Sequence, residues 1–200
     1  MTRVVLASAS PARLQLLTSA GIRPDVVVSD VDEPALIASM GGSTPAEIVL
    51  DLARAKARDV AARISLEADT VIIGCDSMLE MDGQVHGKPA SAQEARERWQ
   101  AMAGRTGVLH TGHWIVRGTR ELGAVASTSV THGRPSPQEI EAYIATGEPL
   151  RVAGAFTLDG LGAPFVERID GDPSNVIGLS LPLTRRLLAD LGIVWTDLWA

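Results

Sequence analysis

The sequence predicts an α/β protein, and three observations carry that prediction. The run Val71-Ile72-Ile73-Gly74-Cys75-Asp76 is apolar up to its terminal carboxylate, the pattern of a strand covered on both faces. Three Ser/Thr-x-x-Glu boxes, opened by Thr44, Ser91 and Ser136, each announce a helix. The chain begins with a short apolar strand, Val4 to Ala7, that breaks at Ser8 and Ser10 and turns helical at Pro11, where proline suits a helix's first turn.

That first junction is chemically loaded. Ser10 is the expected N-cap, and Arg13 lies one turn into the helix. Free backbone N–H groups, the hydroxyls of Ser8 and Ser10, and one guanidinium therefore converge where the helix dipole favours an anion. The stretch reads either as a phosphate cradle or as an ordinary strand–cap–helix junction. Gly21 ends the helix, and Arg23 to Ser29 reads as a second strand. Asp30, Asp32 and Glu33 follow it. Three carboxylates suit a magnesium-type site or a solvated acidic turn.

The box at Thr44 opens a helix reaching about Ile64. At 100° per residue Ile48, Val49, Leu52, Ala53 and Val60 share one face, and Lys56 falls inside that arc. A lysine there needs an anionic partner or snorkels to the rim. Ligands of open α/β sheets sit at the carboxyl ends of strands, which makes Asp76 the best-placed base or metal ligand, the other reading being a turn cap. Cys75 beside it reads as a packing residue.

Met78 to Met81 and Gln84 to Gly87 flank Asp82-Gly83, a strong hairpin signal. The return strand delivers Gly87-Lys88-Pro89, an open backbone suited to phosphate contact or, taken alone, an exposed loop lysine. The box at Ser91 opens a helix to about Met102. Gly107 to Arg117 and Leu122 to Gly133 alternate around Gly118-Thr119 and predict a long antiparallel pair. His110 and His113, three apart in a strand, point to opposite faces and read as structural. The box at Ser136 opens a helix to about Thr146. The glycine-rich run Gly154 to Gly162 predicts a tight turn or close approach to a ligand. Phe165 to Asp170 is a strand, Gly171 to Asn175 a loop, and Pro182 starts the last helix. Without repeats or linkers, residues 1–200 read as one domain, with 105–133 a candidate smaller lobe.

Composition narrows the function. The chain has 200 residues, 46 % hydrophobic and 21 % charged, with net charge −6, ordinary for a globular protein. The acidic balance, with no basic-aromatic stripe, argues against nucleic-acid binding, yet a few local cations suffice for a small phosphorylated ligand. No apolar run reaches the ~20 residues that span a bilayer. One cysteine excludes an internal disulfide framework and a Cys-based zinc site. With no signal-peptide pattern, the expected location is the cytoplasm.

Eight segments in order resemble the Maf family of septum-formation-inhibitor-like proteins: LASASPARLQLL (6–17), VDE (31–33), LARAKA (52–57), GCDSM (74–78), GKP (87–89), HTGH (110–113), EIEAYIATGEPLRVAGAF (139–156) and FVERIDGDPSNVIGLSLPL (165–183). The resemblance implies a long, bent mixed β-sheet flanked by helices, similar to the inosine-triphosphate pyrophosphatases, with two lobes around a cleft. It implies a nucleoside triphosphate pyrophosphatase that yields the monophosphate and pyrophosphate with Mg2+ or Mn2+, in a housecleaning role and with an effect on cell division. On matching positions, Ser8, Ser10, Arg13, Lys56 and Lys88 would bind phosphates, Glu33 and Asp76 would hold the metal, and Asp76 would orient or deprotonate water. The resemblance also allows a homodimer. The dTTP- and UTP-preferring branch carries arginine, threonine and glutamine where this chain has Ala12, Ser77 and Asp159, and the 7-methyl-GTP branch's residues are absent too. Ala12 opens space and Asp159 offers acceptors, which suits guanine- or cytosine-like bases. A nucleotide-sensing regulator of septum formation is the alternative; it would need no water-orienting base.

Overall fold

A computed structural model describes residues 2–64 and 69–200. Among these residues seven strands form one mixed sheet: β1 (Arg3–Ala7), β2 (Asp25–Val26), β3 (Thr70–Met81), β4 (Gln84–His86), β5 (Thr106–Arg117), β6 (Arg120–His132) and β7 (Val166–Asp170). Their order is β2-β1-β3-β5-β6-β7, with β4 paired to β3. β1 runs parallel to β2 and β3. β4 is antiparallel to β3, and β7 to β6. The helices are α1 (Pro11–Ser19), α2 (Glu33–Ser39), α3 (Pro45–Arg63), α4 (Ala92–Met102), α5 (Pro137–Ala145), α6 (Pro173–Ile177) and α7 (Leu181–Asp190).

The chain forms two compact units: residues 1–76, 111–126 and 178–200, and residues 77–110 and 127–177. In the first, strand alternation splits the core into two layers. Val4, Leu6, Val71, Ile73 and Cys75 pack with α1 and α7, whereas Val5, Ala7 and Ile72 pack with Ala57 and Val60 of α3. Each buried face therefore has its own helical cover, as the continuous apolar run requires. Gly74 falls on the α3 side by the same alternation. A Cβ there would lie 2.3 Å from the Ala53 carbonyl oxygen, and one on Gly112 would lie 2.1 Å from that of Val49. α3 thus runs against bare backbone on two strands.

The second unit is built around Trp99, with Leu79, Met81, Met102, Leu109, Tyr143 and Phe156. The indole N–H of Trp99 donates to the Ala155 carbonyl at 2.8 Å. Tyr143, His132 and Phe165 meet its ring edge-to-face, which adds to the burial of the rings.

Several elements differ from expectation. β2 is two residues long rather than seven, with Val26 and Val28 half exposed. Met78–Met81 belongs to the same strand as Val71, so Asp76 lies inside β3 rather than at its end. The hairpin after it forms as expected, with positive φ at both Asp82 and Gly83, the backbone of a type I′ turn. The loop at Asn175 is the short helix α6. Pro182 is the second residue of α7, behind Leu181 and the N-cap Ser180. The boxes at Thr44 and Ser136 close in both directions. At Ser91 the Glu94 carboxylate accepts instead from the Ala90 N–H, at 2.7 Å. No helix among the described residues is long and apolar enough to cross a membrane.

Candidate active site

The first unit gathers Ser8, Ser10, Arg13, Glu33, Lys56 and Asp76. Ser10 caps α1 and accepts from the Arg13 N–H at 3.4 Å. Ser8, buried at the end of β1, accepts from the Ser10 N–H at 3.2 Å and from Arg13 Nη1 at 3.0 Å. Arg13 Nη1 also donates to the Cys75 carbonyl at 2.9 Å, and its Nε to the Gly178 carbonyl at 2.7 Å. One guanidinium thereby fixes β1, β3 and the approach to α7 relative to α1. Both serine hydroxyls act as acceptors in these bonds and keep their own protons to donate.

Lys56 and Asp76 are each 7 % exposed. Lys56 Nζ lies 2.5 Å from Asp76 Oδ1 and 2.7 Å from Glu33 Oε1. The apolar arc of α3 carries Lys56 inward, and the alternation Ile72, Gly74, Asp76 aims the carboxylate at α3. Of the two readings of Lys56, the structure takes the one with an anionic partner. Burial raises the Asp76 carboxyl above the usual range, opposed by the charges of Lys56 and Arg13 and by the Lys56 hydrogen bond, while Glu33 adds to the rise. Burial also pushes the Cys75 thiol up to about 11, consistent with a packing role.

The acidic turn divides by function. Asp32 caps α2 by accepting from the Ala35 N–H at 3.0 Å. Asp30 pairs with Arg63 at 2.9 Å. Glu33 alone reaches Lys56. Among the described residues, no three His, Cys, Asp or Glu side chains cluster to hold a metal ion. Glu33 and Asp76 are two convergent carboxylates with neither thiolate nor imidazole beside them. That donor chemistry fits a hard divalent cation, which takes one or two carboxylates and completes its shell with water and substrate phosphate.

The remaining candidates belong to the second unit. Ser77 is half-buried in β3, while Lys88 and Asp159 are exposed. The loop of Lys88 is tethered: the Gly87 carbonyl accepts from the Gly154 N–H at 3.1 Å and from the buried Arg98. The loop of Asp159 is organised by Glu148. Its carboxylate accepts from Thr157 Oγ1 at 2.5 Å, Tyr143 Oη at 3.0 Å and the Leu161 and Gly162 N–H groups at 3.2 Å. A Cβ on Gly160 would lie 2.8 Å from that carboxylate, so this glycine's close approach is to Glu148.

Sequence reasoning did not single out Arg98 or Glu148. Each sits in a helical or glycine-rich stretch where only tertiary partners reveal it. It also missed a hydrogen-bonded chain on three strands: His110 bonds Glu80 at 2.9 Å and Ser127 at 2.8 Å. His113 is fully buried and joins the Thr111 carbonyl to the Ser180 N–H, a structural role.

The first unit of this α/β sheet thus sets a buried lysine–carboxylate cluster beside the capped N-terminus of α1, and helix N-termini favour anions. The chain belongs to the Maf-like protein family, whose profile matches residues 3–191. A relative from Streptomyces coelicolor, named nucleoside triphosphate pyrophosphatase, is 59 % identical over 99 % of this chain and 95 % of its own. Relatives of the same name from Rhodococcus opacus and Salinispora tropica are 56 % and 57 % identical, over 100 % and 99 % of this chain and 97 % and 88 % of theirs. The Staphylococcus aureus Ham1 protein superposes with a TM-score of 0.48 at 13 % identity, over 99 % of this chain and 94 % of that one.

Proposed function

We propose that the protein hydrolyses nucleoside triphosphates to the monophosphate and pyrophosphate. The observation that carries this reading is Asp76: a buried carboxylate, held by Lys56, beside the Arg13-braced N-terminus of α1. Such transfers depend on positioning and charge neutralisation. The N-terminus of α1, Ser8, Ser10 and Arg13 receive phosphate oxygens, and Lys56 and Lys88 offset their charge. Asp76 orients a water molecule toward the α-phosphorus and takes its proton. The new P–O bond forms as the bond to the β-phosphate bridge breaks, and pyrophosphate leaves with the bridging oxygen and its electron pair. Glu33 and Asp76 would hold Mg2+ or Mn2+, which when bound offsets the developing negative charge.

Ala12, Ser77 and Asp159 set base choice in this reading. An ionised Asp159 accepts from an amino or ring N–H, which favours guanine- or cytosine-like bases over thymine or uracil.

The test is pyrophosphate release from a panel of canonical and modified nucleoside triphosphates, with Mg2+ or Mn2+, for wild type and Asp76→Asn. Release by wild type that Asp76→Asn loses while still binding nucleotide supports the assignment. Equal turnover in Asp76→Asn removes the base. Binding without release on every nucleotide replaces the enzyme with a nucleotide sensor.

A further inference from the structure

Lys56 contacts both carboxylates that the proposed function assigns to the metal. One nitrogen lies 2.5 Å from Asp76 Oδ1 and 2.7 Å from Glu33 Oε1. The ammonium holds one oxygen of each carboxylate, so a divalent cation bound between the same two groups would meet its positive charge at close range. Building on that assignment, we propose that Lys56 is an internal counterion: it competes with the divalent cation for Glu33 and Asp76, and hands them over when the metal loads.

Three observations support the competition. First, the contact is enforced. Lys56 sits on the buried face of α3 between Leu52 and Val60, and α3 is pressed onto the sheet at Gly74 and Gly112. Only 9 % of the Lys56 side chain is exposed, so leaving the carboxylates costs the ammonium unless another anion replaces them. Secondly, the ammonium lies between two like charges. Two carboxylates at such range repel unless a cation lies between them, and Lys56 supplies it. Thirdly, the residue type matters. The chain has 18 basic residues, of which only Lys56 and Lys88 are lysine. A lysine presents a compact point charge, whereas an arginine presents a planar fork. The position that contacts both carboxylates thus carries the side chain closest in form to a bare cation.

Cation binding displaces the ammonium, which then requires a new anion. The triphosphate is the available one. Metal and nucleotide therefore favour each other's binding through Lys56, and the metal-free protein keeps its carboxylates paired.

The experiment is Mn2+ binding to metal-free protein at pH 8, followed by calorimetry and electron paramagnetic resonance without nucleotide. Wild type is compared with Lys56→Gln, Lys56→Arg and Glu33→Gln. Removing the charge should tighten Mn2+ binding at least about fivefold, the lower end of ordinary coupling between sites, while Lys56→Arg, which keeps the charge but spreads it over a planar fork, should tighten it less than Lys56→Gln. Equal or weaker binding by a folded Lys56→Gln overturns the competition and leaves the metal assignment standing. Binding that Glu33→Gln does not weaken overturns the ligand assignment, and the competition with it. A second measurement needs no variant. Protein with 15N-labelled lysine side chains has two Nζ groups to observe. Titration with Mg2+ should move the Lys56 resonance and leave Lys88 in place. A Lys56 signal unchanged at saturating Mg2+ overturns the proposal.

Discussion

The carbonyl oxygen of Val49 lies 2.1 Å from the point where a Cβ on Gly112 would stand. No side chain fits between β5 and α3 at that level, and Gly74 on β3 meets the Ala53 carbonyl in the same way. These two contacts set how deeply α3 seats, and with it the reach of Lys56 to Asp76. Gly112→Ala should destabilise the fold by about 3 kcal/mol, the upper range for overpacking a close contact, and should lower activity in the fraction that folds. Gly41→Ala, where a Cβ meets nothing within 4 Å, should leave the urea midpoint unchanged. Equal midpoints for Gly112→Ala and wild type would show that the helix can back away freely.

Glu148 should govern the order of the loop that carries Asp159. Its carboxylate gathers two hydroxyls and two backbone N–H groups. Burial acts to raise its pKa, but hydrogen bonds from Thr157, Leu161, Tyr143 and Gly162 outweigh burial and lower it. Glu148→Ala takes the acceptor from Thr157 and the Leu161 N–H and leaves the Gly162 N–H only Thr157 Oγ1 at 3.1 Å, at a cost of about 2 kcal/mol. Amide exchange at Leu161 and Gly162 should accelerate, and selectivity among nucleotides should relax. Unchanged exchange at these two amides would remove Glu148 from that role.

His132 should make the protein lose stability on mild acidification. Its ring is fully buried, its Nδ1 bonds the Arg105 carbonyl at 3.3 Å, and its Nε2 is a buried atom with no hydrogen-bond partner among the described residues. Burial lowers its pKa to about 4, against the smaller opposing effect of the Arg105 bond. The unfolded chain, with an ordinary histidine near 6.5, binds more protons than the folded one between those values. Stability therefore rises with pH through that window, and this contribution, about 3 kcal/mol in all, is lost as pH falls from about 6.5 to about 4. Urea midpoints measured from pH 7.5 to 4.5 should fall for wild type, and fall less steeply for His132→Gln. Parallel slopes would assign the acid sensitivity to other groups.

Much of the first unit is legible in the sequence because its signals are local. Ser10 before Pro11, and the box at Thr44, fix where α1 and α3 begin. The helical period places Lys56 inward, and the apolar run before Asp76 points to a covered strand. The extent of β3 is not legible. A polar Asp76-Ser77 pair reads as a strand end, and the strand continues because Lys56 and Arg13 neutralise the charge from elsewhere in the chain. The role of Arg13 is likewise only half visible. Its place at a helix N-terminus suggests an anion, whereas its carbonyl partners Cys75 and Gly178 lie 62 and 165 residues away. Short elements fail for a different reason: β2 and α6 have two and five residues, too few for a period to show.

Cys75 has a practical consequence. It is the chain's only sulfhydryl, it is fully buried, and its thiol stays protonated at neutral pH. Maleimide and haloacetamide dyes react with accessible thiolates. A cysteine introduced on an exposed loop, for example at Gly41 or Leu161, would therefore take up a fluorophore or spin label alone. The mobility of such a label, read on protein that keeps its natural Cys75, could then report on each compact unit separately as nucleotide and cation are added.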